Sequence, residues 1–178
     1  MAQSTSGAVS GNTAGFYITS TLPIYYVGAT PYLQFSFTFS ASSDYSSNSR
    51  VWMGLVGSSC SLATMTASAN PACSYAAIRW DTSVPDSTWL CVVNNGGTQQ
   101  TSPIGSLTPS TSFHKASILL SSSSAVCSID GTTSSPITTS IPASTVAMYT
   151  MITNTTLTTS ATHLRVGEIQ GYHQNRSY

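Results

Sequence analysis

Tyr32-Leu33-Gln34-Phe35-Ser36-Phe37-Thr38-Phe39 alternates without a break: Leu33, Phe35, Phe37 and Phe39 on one side, Gln34, Ser36 and Thr38 on the other. Successive side chains of a strand point to opposite faces, so this stretch reads as a β-strand with one apolar and one polar face. Its four apolar residues are expected to form a continuous core stripe. The opposite face is polar but carries no charge, which points to something covering it.

The same alternation, in weaker form, recurs on both sides. Residues 50–56 (RVWMGLV) are almost continuously apolar, the pattern of a strand buried on both faces, with Trp52 in the core. Residues 75–80, 88–93, 99–101, 112–120, 125–129, 145–153 and 163–172 read as further strands. Before the opening strand, residues 16–19 and 24–27 are split by Pro23. Asn94-Asn95-Gly96-Gly97 and Asp130-Gly131 are tight hairpin turns. Residues 40–49, 57–74 and 103–110 read as loops, and no helical stretch emerges. About ten to twelve short strands at roughly ten-residue spacing define an all-β fold, an antiparallel two-sheet β-sandwich or jelly roll. Residues 1–15 carry almost no bulky apolar group. They are expected to be an N-terminal arm that docks on a neighbouring subunit by strand addition, with residues 16–178 as a single sandwich domain.

Composition narrows the function. The chain has 178 residues, 34 of them Ser and 26 Thr, and only five cations against five acids. Strong helix formers are scarce, which argues against a helical bundle. Five scattered cations cannot neutralise a phosphate backbone, so direct nucleic-acid binding is not expected. The apolar share of 40% is enough for a packed core, unlike that of a disordered chain. There is no apolar run near the roughly 20 residues of a membrane span, and the N-terminus lacks the cationic and apolar regions of a secretory leader. No membrane partner is expected. The four cysteines allow three pairings, among which the sequence does not choose; a Cys60–Cys73 bond would close one short loop. The sequons at Asn154 and Asn175 carry no weight in a chain so rich in Ser and Thr.

Four segments carry a family resemblance. RVWMGLV at 50–56 resembles an Arg-hydrophobic-Gly-hydrophobic strand. AAIRWDTSVPDSTWLCVVNNGGTQQT at 76–101 resembles a pair of strands with an Arg-aromatic segment, a Trp-containing strand and a Gly turn. SFHKASILLSSSSAVCSIDG at 112–131 resembles a hairpin ending in Ile-Asp-Gly, and residues 140–172 resemble the closing strands. Together they are similar to concanavalin-A-like β-sandwich modules of bacteriophage and virus structural proteins. The resemblance implies a virion structural protein: a capsid, capsid-decorating or fibre- or tail-associated subunit, assembled in a host cytoplasm and localised to the virion. Its partners would be other copies of itself and other virion proteins. The alternative is a lectin-like module binding host or surface glycan, with Trp80 or Trp89 as a sugar-stacking platform.

Chemistry is sparsely signalled. A glycosidase needs two carboxyl groups at a defined separation. Here Glu168 is the sole glutamate, Asp81 and Asp86 share one turn, and the Glu-x-Asp-x-x-Glu strand of concanavalin-like glucanases is missing. A Ser-His-Asp arrangement is compatible with 34 serines, yet there is no Gly-x-Ser-x-Gly elbow. His114, His163 and His173 lack metal-ligand spacing, and no Cys-x-x-Cys occurs. The expectation is a protein without catalytic residues, metal or cofactor.

Overall fold

The computed structural model describes residues 2–7, 10–18, 25–46 and 49–173. Within them the strands are β1 (Ala2–Thr5), β2 (Thr13–Ile18), β3 (Tyr25–Tyr26), β4 (Pro31–Phe39), β5 (Ser49–Gly57), β6 (Ser74–Asp81), β7 (Leu90–Asn95), β8 (Gln99–Pro103), β9 (His114–Leu120), β10 (Ala125–Ile129), β11 (Thr132–Thr133), β12 (Ala147–Thr156) and β13 (His163–His173). Thr19 and Ile24, read as ends of the two early strands, Pro23, read as the break between them, and the Asn175 sequon lie outside the described residues.

Two antiparallel sheets face each other, as in a jelly roll. One is six-stranded in the order β1-β13-β4-β9-β10-β11. The other runs β2-β12-β5-β6-β7-β8, with β3 also paired to β12. Between them lies the main core. The stripe Leu33, Phe35, Phe37 and Phe39 meets Val51, Met53, Leu55, Ile78 and Trp80 from the opposing sheet, with Trp89 against Phe37 and Phe39. All four stripe residues are essentially inaccessible to water. The disulfide Cys91–Cys127 ties β7 of one sheet to β10 of the other through this core. The pairing left open by the sequence is thus Cys91 with Cys127 and Cys60 with Cys73.

Two expectations change. The segment foreseen as docking on a neighbour pairs with its own chain: β1 lies antiparallel to β13, Ala2 opposite Val166 and Thr5 opposite His163, and β2 lies along β12. Without β1, the free edge of β13 would leave a row of backbone donors and acceptors unpaired, and the chain's own extended N-terminal segment satisfies them. Helix also occurs where only loop was expected, as α1 (Ser43–Ser46) and α2 (Leu62–Ala67). Four of the six residues of the second are Leu, Ala or Met, good helix formers, behind an N-cap at Ser61 whose side chain accepts the Thr64 N–H at 3.0 Å. Among the described residues no helix is long and apolar enough to cross a membrane.

Candidate functional site

Each sheet has an outer face, and the two are treated differently. On the seven-stranded sheet, Trp52, Val56, Tyr75, Ala77, Val92 and Met151 form a second apolar cluster, covered by Met65 of α2 and by Cys60 and Cys73. The segment 58–73 is therefore a strap across this face, closed at its base by the Cys60–Cys73 disulfide. Long polar side chains of the sheet hold its backbone. Arg50 Nη1 donates to Thr66 O at 2.7 Å, Arg79 Nη1 to Ala69 O at 2.6 Å, Gln99 Nε2 to Ala69 O at 2.9 Å and Asn94 Nδ2 to Pro71 O at 3.1 Å.

The two arginines are oriented by the two aspartates of the β6–β7 turn. Arg50 Nε lies 2.5 Å from Asp81 Oδ2, while Arg79 makes a two-pronged pair with Asp86, at 2.9 and 2.8 Å, and sits over the Trp52 ring. Burial pushes the Asp86 carboxyl above its ordinary pKa, and the Arg79 guanidinium opposes that shift without cancelling it. Asp81 and Asp86 are neighbours, as a hydrolytic pair would be, but both are engaged by arginines beneath the strap.

Among the described residues, none crosses the outer face of the six-stranded sheet. Registers across β13, β4, β9 and β10 place its residues in rows. Tyr172, Tyr32, Leu119 and Val126 form one row; Gln170, Gln34, Ser117 and Ser128 form the next; Ser36 and Lys115 lie in a third. Glu168 joins this third row through an irregularity in β13. The pairing with β4 shifts register between Val166 and Ile169, so an extra residue turns outward. Gly167 lies close against its neighbours there: a Cβ would run into Ser36 Oγ and come within 3.2 Å of Phe113 Cζ, displacing the hydroxyl that holds the bulge. Ser36 Oγ accepts the Glu168 N–H at 3.1 Å and fixes the bulge.

The result is a shallow trough made of two adjoining depressions. Gln34, Ser36, Phe113, Lys115, Glu168 and Gln170 line one; Tyr32, Gln34, Lys115, Ser117, Ser128 and Gly131 line the other. Phe113 and Tyr172 are 52% and 51% exposed, so aromatic surface stands free at both ends of the rows. Tyr172 leans on Tyr32 with ring centroids 5.0 Å apart. Among the described residues no group of three His, Cys, Asp or Glu side chains could hold a metal ion.

The residues singled out from the sequence lie elsewhere. Trp80 and Trp89 are 8% and 0% exposed and pack on each other between the sheets, so neither can stack on a sugar. Both face inward, Trp80 by its register on β6 and Trp89 just before β7, and Trp80 is anchored by its Nε1–H to Tyr45 O at 2.9 Å. Trp52 lies under the strap rather than in the inter-sheet core. The trough residues were missed, although one signal was present in the uncharged polar face of β4. Tyr172, Phe113 and Lys115 join that face only through strand order, which alternation within one strand does not reveal.

No protein-family profile matches the chain, and no curated relative does either. Solved structures do. An endo-acting O-glycanase described from human gut microbiota superposes with a TM-score of 0.70 at 8% identity, over 97% of this chain and 79% of that one. An alginate lyase in complex with dimannuronate gives 0.66 at 7% identity, over 97% and 75%. A Bacteroides ovatus GH16 protein of mixed-linkage glucan, bound to its product, gives 0.64 at 10% identity, over 96% and 80%. The fold is a concanavalin-A-like jelly-roll β-sandwich. These neighbours overturn the reading as a virion, capsid or phage-tail subunit and the expectation of a protein without enzymatic activity, because the proteins that share the fold here act on glycans.

Proposed function

We propose that the protein is a glycan-processing enzyme that seats a polysaccharide chain in the trough on the outer face of the six-stranded sheet. The observation that carries this reading is the ordered chemistry of the trough: exposed aromatic surface, then paired amides and hydroxyls, then a Lys and a Glu. Sugar rings offer C–H faces that lie against Tyr and Phe, and hydroxyls that exchange hydrogen bonds with Gln and Ser. Gln34 sits at the junction of both depressions, where it can engage neighbouring sugars along one chain.

Among the described residues this face carries one carboxylate, Glu168, so it does not itself supply the two carboxyl groups of a glycoside hydrolase. Lys115, Tyr32 and Tyr172 are its other groups able to move a proton. Lys115 also favours substrates with an anionic sugar.

The test is binding and product formation with alginate, mixed-linkage β-glucan and mucin, the materials named for the structural neighbours. At least one should be retained by the protein and released as shorter or chemically altered chains. Phe113→Ala and Tyr172→Ala should each weaken binding about tenfold, or about 1.4 kcal/mol. Unchanged affinity in both variants would place the glycan elsewhere.

A further inference from the structure

A separate cluster lies where the charged row of the trough ends. Ser110 Oγ is 2.8 Å from His114 Nε2, and His114 Nδ1 is 2.6 Å from Asp130 Oδ2. Three parts of the chain meet here. Ser110 comes from the loop before β9, His114 is the first residue of β9, and Asp130 is the turn residue that follows β10. The β9–β10 register brings Asp130 back to β9, where its N–H donates to Lys115 O and its Oδ1 accepts the Lys115 N–H, both at 2.8 Å. Asp130 and Gly131 both have positive φ, at 50° and 81°, as the two central residues of a type I′ turn require.

With the His114 ring neutral, its two partners set the proton positions. A carboxylate only accepts, so His114 Nδ1 carries the ring proton. In the neutral ring Nε2 is then an acceptor, and the Ser110 hydroxyl must be its donor. Ser110 Oγ meanwhile accepts the Ser112 N–H at 3.1 Å, which holds its rotamer and leaves its proton directed at the imidazole. The ring is held in place against Phe37, with centroids 5.3 Å apart, and the His114 side chain is mostly buried. This is the relation of nucleophile, base and orienting acid that activates a serine, and such an arrangement is identified by geometry rather than by sequence motif. His114 lies between Phe113 and Lys115 in the chain, at the rim of the sheet: these two neighbours turn to the trough, while the His114 ring turns to the Phe37 side of β9.

We infer that Ser110, His114 and Asp130 form a serine-esterase centre that removes O-acyl groups from sugar hydroxyls of the bound polysaccharide. The substrate assignment rests on the trough reading above; the esterase chemistry does not. Ser110 Oγ attacks the acyl carbonyl as His114 Nε2 takes the hydroxyl proton. The C–O bond to the sugar breaks, and the same proton goes to the departing sugar oxygen. Water then attacks the acyl-serine with His114 as base, releasing a carboxylic acid and restoring the hydroxyl. Asp130 steadies the imidazolium in both steps.

The experiment uses p-nitrophenyl acetate, an active-site fluorophosphonate and O-acetylated alginate with the full chain. The expected result is turnover of the aryl ester and covalent labelling found by peptide mass at Ser110. Ser110→Ala should abolish both, His114→Asn should slow turnover about 10²–10⁴-fold, and the exposed control Ser122→Ala should leave both unchanged. Loss of labelling in a Ser110→Ala protein with wild-type circular dichroism supports the assignment without relying on rates. If the wild-type protein neither turns over the ester nor labels at Ser110, or if Ser110→Ala labels and reacts as before, the centre is not an esterase. Esterase activity and Ser110 labelling without acetate release from the polymer would retain the centre and reject the trough as its substrate site.

Discussion

The two outer faces are built on the same lattice and differ in what crosses them. The seven-stranded sheet carries Trp52, Tyr75 and Met151 outward, and the strap 58–73 converts that face into a second core. The six-stranded sheet carries Gln34, Ser117, Ser128 and Gln170 outward, with aromatics at the margins and, among the described residues, nothing over them. An apolar outer face must be covered or it becomes an adhesive surface. A face of amides and hydroxyls is already satisfied by water and can exchange that water for sugar hydroxyls. The residue choice along the strands thus decides which face is structural and which is free to work.

The sharpest way to break this comparison is to truncate one aromatic on each face. Trp52→Ala removes a fully buried ring that packs on Tyr75 and lies under Arg79, and it should cost about 3–5 kcal/mol in urea denaturation. Phe113→Ala removes an exposed ring and should stay within about 0.5 kcal/mol. Equal losses would mean that the open face is structural too.

The disulfides give the next largest effects. Replacing Cys91 and Cys127 by Ser releases a link of 36 residues between the sheets, and replacing Cys60 and Cys73 releases one of 13 within the strap. By loop entropy the first should cost somewhat more than about 3 kcal/mol and the second about 3 kcal/mol or slightly less. The second should also be local: Trp52 becomes quenchable by acrylamide while the trough keeps its ligand affinity. Lost affinity in the strap variant would show that the two faces are coupled.

Much of this organisation could be read from residue order. The stripe Leu33, Phe35, Phe37 and Phe39, the double burial of β5 and the turns at Gly96 and Gly131 are all local patterns, and local patterns survive folding. The strap was read as a featureless loop because its role depends on Arg50, Arg79 and Gln99 reaching it from other strands. Trp80 and Trp89 enter as sugar-stacking candidates only in the alternative, lectin-like reading, because the sequence does not say which side of a sheet faces its partner. Ser110, His114 and Asp130 are dispersed over 21 positions in a serine-rich chain, and only the β9–β10 register assembles them. The bulge that turns Glu168 outward depends on pairing between β4 and β13, residues more than 120 positions apart.

The smallest effect concerns the charge beneath the strap. Burial raises the Asp86 carboxyl above its ordinary value of 3.8, with Arg79 pulling the other way. Above the folded-state pKa the group is ionised in both states, and the folded state carries the full cost of burying the charge. As pH falls through that pKa toward 3.8, the native protein takes up the proton before the unfolded chain does, so this residue's contribution becomes more favourable. Below 3.8 both states are protonated and the contribution is level. Asp86→Asn cannot titrate. Urea midpoints from pH 7 down to 4 should therefore show the wild-type protein gaining stability relative to the variant as acid is added, the reverse of an ordinary salt-bridged carboxylate. A relative loss would mean that the Arg79 pair outweighs burial and that the strap is held by charge. A relative gain fits a strap held chiefly by the packing of Trp52 and Met65, with Arg79 acting through its hydrogen bond to Ala69.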